Sequence, residues 1–317
     1  MRFAARTGQV LRTRAPEPVV LHSARLVMPV ATEPVRDGAV VVRGDRVLQV
    51  GRRADLLTHF PVREERRWDG LIVAGLVDAY ATALSPGVTA AACMNFVAPG
   101  VTYIEVTCGS EEAWEDSERD ALITALREVD HPGPVGIAAH ARDPHVLEDV
   151  AVLARTFGMR LLADLSLRSA PALDEAGVLG PHCHVVCSGP LDPGERKLLR
   201  LRQTAIAVSP GPGDALALLE ERDPIALSLS AAARVRAQAR ALGLRMTGLD
   251  RLLVEAATLG GARALGMNQG PGRIGSLGPG SRADFAVFAA GGRYPYSSLL
   301  DDAPCLATVV GGATYQG

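Results

Sequence analysis

The chain has 317 residues, 48% hydrophobic and 21% charged, enough apolar material for one large domain or two unequal ones. Its formal charge of −2 offers no basic surface for nucleic acid or an anionic membrane. No run of about 18 apolar residues could span a bilayer, and the opening MRFAARTGQVLRTRAPEP lacks the apolar stretch of a secretion signal, so a cytoplasmic protein is expected. Five irregularly spaced cysteines, Cys93, Cys108, Cys183, Cys187 and Cys305, suit reduced thiols in such a compartment, and Lys197 is the single lysine.

In chain order, β-branched and apolar runs at 19–28, 39–43 and 46–50, with Gly44-Asp45 between the last two, predict strands and a hairpin. A short helix is expected over 54–59. The continuous apolar run LIVAGLVDA then has the texture of a strand covered on both faces. From there to about residue 260, strands are expected at 72–79, 101–106, 135–139, 159–163, 184–187, 205–208 and 225–229. Helices are expected at 111–128, 145–157, 193–202 and 231–242, where apolar residues recur at i, i+3 and i+4. Alternating β and α predicts a parallel barrel or a doubly wound sheet. Seven strands are visible where a (β/α) barrel needs eight, so one unit is expected to be either missing or hidden near 107–134. The end of the chain returns to short strands broken by Gly and Pro, too small for a core of their own and expected to complete the N-terminal sheet.

Several stretches carry a resemblance: ARLVMPV with DGAVVVRGDRVLQVG, then WDGLIVAGLVDA, GVTYIEV, LRLRQTAIAVSP, and LVEAATLGGARALGM followed by GRIGSLGPGSRADFAVF. In this order they resemble the amidohydrolase superfamily, in its branch of cyclic deaminases, chlorohydrolases, imidazolonepropionase and aminodeoxyfutalosine deaminase. The resemblance implies an α/β fold: a shortened TIM-like (β/α) barrel over 71–271 and a small β-sandwich shared by 1–70 and 272–317. It also implies a divalent metal at the C-terminal ends of the strands, held by histidines on strands one, five and six and an aspartate on strand eight. Such an ion lowers the pKa of bound water so that hydroxide attacks at neutral pH.

The positions matched to those ligands are Tyr80 and Thr82 on strand one, Ala163 or Asp164 on strand five, Cys187 on strand six, and Ser228 or Ser230 on strand eight. Of these, Cys187 and Asp164 are competent donors, so no metal cofactor is expected. A relocated site around His182, Cys183, His184 and Cys187 is disfavoured, because the two histidines fall at the start of their strand and Cys187 at its end. His140 and Asp164 each follow a strand and are expected near the functional face as a catalytic pair. Glu105 is a charge inside the strand-like YIEV, on the side of Tyr103, and needs a partner or a task. PGPG at 210–213, HPGP at 131–134 and GPGS at 278–281 read as turns, and the acidic run at 111–120 as a solvated helix start.

Three functional readings follow. The first is a pseudoenzyme without the metal centre that binds a small heterocyclic or nucleoside-like ligand, or supports an active homologous or pathway enzyme. The second is acid/base chemistry without a metal by His140, Asp164 and Glu105, with Tyr80 and Cys187 as further agents. The third is C–N bond hydrolysis with an atypical zinc or iron site. No nucleic-acid or membrane partner is expected, and a homo-oligomer is compatible with the composition.

Overall fold

The structure, a computed structural model, describes residues 17–81, 83–94, 99–108, 116–128, 133–209 and 215–316. Thr82, the PGPG turn, the start of HPGP and the first half of the acidic run lie outside them. In chain order, β1 (Val19–Met28), β2 (Val35–Arg43) and β3 (Arg46–Arg52) make an antiparallel meander, followed by α1 (Arg53–His59) and β4 (Glu64–Ala74). Gly44, at φ 57°, supplies the left-handed backbone that the β2–β3 turn requires. A single residue, Gly75, then leads from β4 into β5 (Leu76–Ala81), the first barrel strand.

The barrel continues with β6 (Val88–Cys93), β7 (Gly100–Cys108), α2 (Asp116–Glu128), β8 (Val135–Ala141), α3 (Pro144–Phe157), β9 (Arg160–Asp164) and α4 (Ala170–Glu175). Next come β10 (Cys183–Cys187), α5 (Pro193–Leu201), β11 (Ala205–Val208), α6 (Ala215–Glu220), β12 (Ile225–Ala226) and α7 (Leu229–Ala241). After α8 (Leu249–Glu255), a π-helical turn (Ala256–Gly260) and α9 (Gly261–Ala264), the chain returns to the outer sheet. It does so through β13 (Phe285–Phe288), α10 (Pro295–Leu299), β14 (Cys305–Val310) and β15 (Ala313–Gln316). No helix among the described residues is long and apolar enough to cross a membrane.

Two sheets result. One has eight parallel strands, β5 to β12 in sequential order; the other has seven, ordered β15-β14-β13-β4-β1-β2-β3, so both ends of the chain build it. β13 pairs antiparallel with β4, which places the GSRADFAVF stretch beside the strand that feeds the barrel.

The eighth barrel strand is β6, not a segment within 107–134, where the described residues form α2. Six residues separate β5 from β6 and six separate β6 from β7, too few for a helical crossover. β6 is covered by the terminal sheet, whose β13 and β14 pack on it. At the turn before β6, Gly87 has φ 85° and donates its N–H to Thr308 Oγ at 3.0 Å, and a Cβ there would press into the Phe288 ring.

β5 and β12, the ends of the barrel sheet, do not pair with each other. The π-helical turn and α9 fill the seam and touch both strands. Gly260 lies against the Ile225 carbonyl and Gly261 against the Val77 carbonyl, closer than any side chain would permit. Outside the barrel, α3 shows why such segments are helical: Val146, Leu147, Val150, Ala151 and Ala154 form its buried face. Asp143 caps its first turn by accepting from His145 N at 2.8 Å, and left-handed Gly158 ends it.

Candidate active site at the barrel mouth

Side chains alternate across each barrel strand, and one set fills the lumen: Val77, Ala90, Ala92, Val101, Tyr103, Ala138, Leu162 and Val186. Glu105, His140 and Asp164 continue this set two residues beyond Tyr103, Ala138 and Leu162, at the ends where the loops of such barrels carry chemistry. Lower in the lumen, buried His184 donates Nε2–H to the Ala79 carbonyl at 3.0 Å and sets Nδ1 3.5 Å from the Tyr103 hydroxyl. Burial, with Arg160 nearby, depresses its pKa to about 3, so it is a neutral packing residue.

At the mouth, His140 Nδ1–H donates to Glu105 Oε1 at 2.7 Å. With the proton on Nδ1, Nε2 carries the lone pair, and this atom is buried with no hydrogen-bond partner among the described residues. Glu105 thus finds its partner on the neighbouring strand rather than in an arginine. His140 makes its hydrogen bond with Glu105, and Asp164, expected to act with His140, is engaged by its own loop. One oxygen of Asp164 accepts from Ser166 N at 2.7 Å and stiffens the loop after β9. Tyr80 stands with these groups: burial raises the pKa of its phenol, and Asp164 and Glu105 add to the effect, so it remains a proton donor. Behind it, Asp78 accepts the Tyr80 backbone N–H at 3.0 Å, and burial raises the pKa of that carboxyl.

Three expected pocket positions lie elsewhere. Cys187 belongs with Cys183 and Val185 to the core between strands and helices, while Val186 faces the lumen; its thiol donates to the Gly189 carbonyl at 3.1 Å. Ser228 caps α7 by accepting from Ala231 N at 3.2 Å and sits 3.1 Å from Ser230. Both serines line a cleft of about 400 Å³ with Asp78, on the side of β5 opposite Val77. His182 and His184 do not join Cys187 in one site: His184 points into the lumen and Cys187 away from it.

The arrangement can move protons. A carboxylate holds an imidazole in one tautomer and offsets the charge it acquires on taking a proton, with a phenol and a second carboxylate beside it. Sequence reasoning named all four residues but not the Glu105–His140 contact. The signal for it was the adjacency of the third and fourth strands together with the shared parity of Glu105 and His140.

Comparison with known proteins adds the following. Residues 38–61 match a family model described as an imidazolonepropionase-like composite domain of bacteria. No curated protein matches the chain. Among solved structures, an adenosine deaminase from Xanthomonas campestris with bound zinc is similar at TM-score 0.77 and 19% identity, over 94% of this chain and 93% of that one. E. coli guanine deaminase gives 0.72 and 15%, over 95% and 99% of the two chains. Atrazine chlorohydrolase TrzN from Arthrobacter aurescens TC1, complexed with zinc, gives 0.69 and 15%, over 93% and 94%.

These structures correct one expectation. Zinc is held by two of the three, so the inference that a protein of this kind takes no metal cofactor is overturned. The described residues of this chain do not reproduce a site for it. Among them, His, Cys, Asp and Glu nowhere gather in a group of three able to hold an ion. His140 Nε2 is the one free imidazole donor identified at the mouth; Asp164 has one oxygen engaged by its own loop, and Cys187 faces away.

Proposed function

We propose that this chain, which has the barrel and outer sheet of the deaminase-type amidohydrolases, binds a small nitrogen heterocycle at the mouth of its barrel and acts on a C–N bond through proton transfer by His140. The observation that carries the reading is the state of the two nitrogens of one ring: Nδ1 committed to Glu105 at 2.7 Å, and Nε2 buried with no partner among the described residues. A neutral imidazole with a free Nε2 is a general base towards water or a substrate N–H, and the imidazolium it becomes returns the proton to the leaving nitrogen. Glu105 holds the tautomer and balances the charge. Tyr80, kept protonated, is placed to donate a hydrogen bond to a ring nitrogen or carbonyl. Beneath these polar groups the side chains are small and apolar, Ala79, Ala92, Ala138, Ala207 and Ala226, so the surface offered to a ligand from below is apolar.

The test is ammonia release from a panel of aminopurines, aminopyrimidines and aminotriazines, by the protein and by His140→Gln. Loss of general-base catalysis lowers the rate about 10²–10⁴-fold while ligand affinity changes little. An unchanged rate in His140→Gln overturns the assignment of the base. Saturable binding with no turnover by the unaltered protein overturns the catalytic part and leaves a binding module.

A further inference from the structure

A second cavity, of about 930 Å³, opens between the terminal sheet and helices α8 and α10 and shares no lining residue with the mouth. Its volume is that of a site for a cofactor-sized molecule. Most charges around it are matched. Arg25 pairs with Asp69 at 3.2 Å and Arg251 with Glu33 at 2.5 Å, while Asp250 is held at 2.9 Å by the buried Arg236. Two are not matched. Arg36, on β2, and Arg293, on the loop after β13, have no carboxylate partner among the described residues, and both unmatched charges are cations.

The same wall carries aromatic groups. The Arg293 guanidinium lies 5.5 Å from the centre of the Tyr294 ring, and Tyr294 is 67% exposed. The Tyr296 hydroxyl is buried without a hydrogen-bond partner among the described residues. Burial raises its pKa, so it is a donor lacking an acceptor. Gly291 and Gly292, the latter at φ 92°, bring bare backbone to the cavity between Ala290 and Arg293. One kind of ligand meets all of these features: anionic oxygens for Arg36 and Arg293, an acceptor for Tyr296, and a flat ring for Tyr294.

We propose that this cleft binds a nucleotide, with its phosphates on Arg36 and Arg293 and its base on Tyr294. The site is independent of the barrel mouth and places a phosphorylated aromatic molecule against the joint between outer sheet and barrel.

Calorimetric titration of the full-length protein with ATP tests it, with adenosine and tripolyphosphate as separate probes. Expected are one saturable site for ATP, at least tenfold weaker binding in Arg36→Ala/Arg293→Ala, several-fold weaker binding in Tyr294→Ala, and affinity that falls as salt rises. All three positions are solvent-facing, so the variants keep the parent melting temperature. No saturable ATP binding, or binding untouched by the arginine changes, overturns the site. Tripolyphosphate binding as tightly as ATP overturns the nucleotide assignment. Loss of ATP binding in His140→Gln overturns the location, by moving the ligand to the mouth.

Discussion

The lower lumen and the mouth of the barrel each hold a histidine, and the two differ in what their second nitrogen does. His184 has both nitrogens facing partners, the Ala79 carbonyl and the Tyr103 hydroxyl, and is fully buried. His140 has one nitrogen engaged and one bare, and its side chain is 14% exposed. The same residue type therefore serves packing in one layer and offers chemistry in the next. Partner count, not burial alone, tells them apart.

The comparison breaks most readily with acid. His184 and His22 have pKa values depressed by burial to about 3 and about 4, and His22 accepts the Trp68 indole N–H at 3.3 Å, a bond its protonated Nδ1 could not keep. A histidine whose folded pKa lies below its unfolded value contributes stability that is complete above about pH 6.5 and is lost as pH falls towards the folded value. At pH 5 each costs about 2 kcal/mol, while Asp284, whose pKa burial raises to about 6, returns about 1–2 kcal/mol on acidification, so urea unfolding at pH 5 should show about 2–3 kcal/mol less stability than at pH 7.5. A flat profile across that interval would mean that neither ring is held neutral.

Next in size is His184→Phe. It leaves the Ala79 carbonyl and the Tyr103 hydroxyl without their partner and should cost about 2–3 kcal/mol at pH 7.5 by urea titration. It also removes that ring's share of the acid loss. His140→Gln, by contrast, should shift stability by less than about 0.5 kcal/mol. Equal destabilisation by the two substitutions would erase the distinction between the layers.

A finer cut is Glu105→Gln. If Glu105 holds His140 and balances its charge, the variant loses roughly 10–100-fold in kcat with KM nearly unchanged, and Glu105→Asp recovers part of it. A change confined to KM would assign Glu105 to ligand binding instead.

The barrel was legible where helices punctuate strands. The runs at 135–139, 184–187 and 205–208 each fall within a strand of the structure, and that at 159–163 is offset by one residue from Arg160–Asp164, because an amphipathic helix sets each one off. VTAAAC was not legible as β6. Its alanines have weak strand preference, and the six residues on either side of it are too few for the amphipathic helix that marks the other crossovers. At the site, His140 and Asp164 were found from their places after strands and Glu105 as a charge inside one, but the contact between Glu105 and His140 depends on register, which pairs Glu105 with Ala138. Cys187 shows the same limit. One residue of parity decides whether a side chain enters the lumen or the helix layer, and Val186 took the inward place.

The glycine pair at 260 and 261 has a consequence for how the chain is made. Since β5 and β12 are joined by the helical wedge that follows them rather than by each other, a nascent chain lacking that wedge exposes two raw strand edges, each able to recruit a neighbouring molecule. Sealing must wait until the segment through Ala264 has left the ribosome, and this interval is when the newborn protein is most open to misassembly.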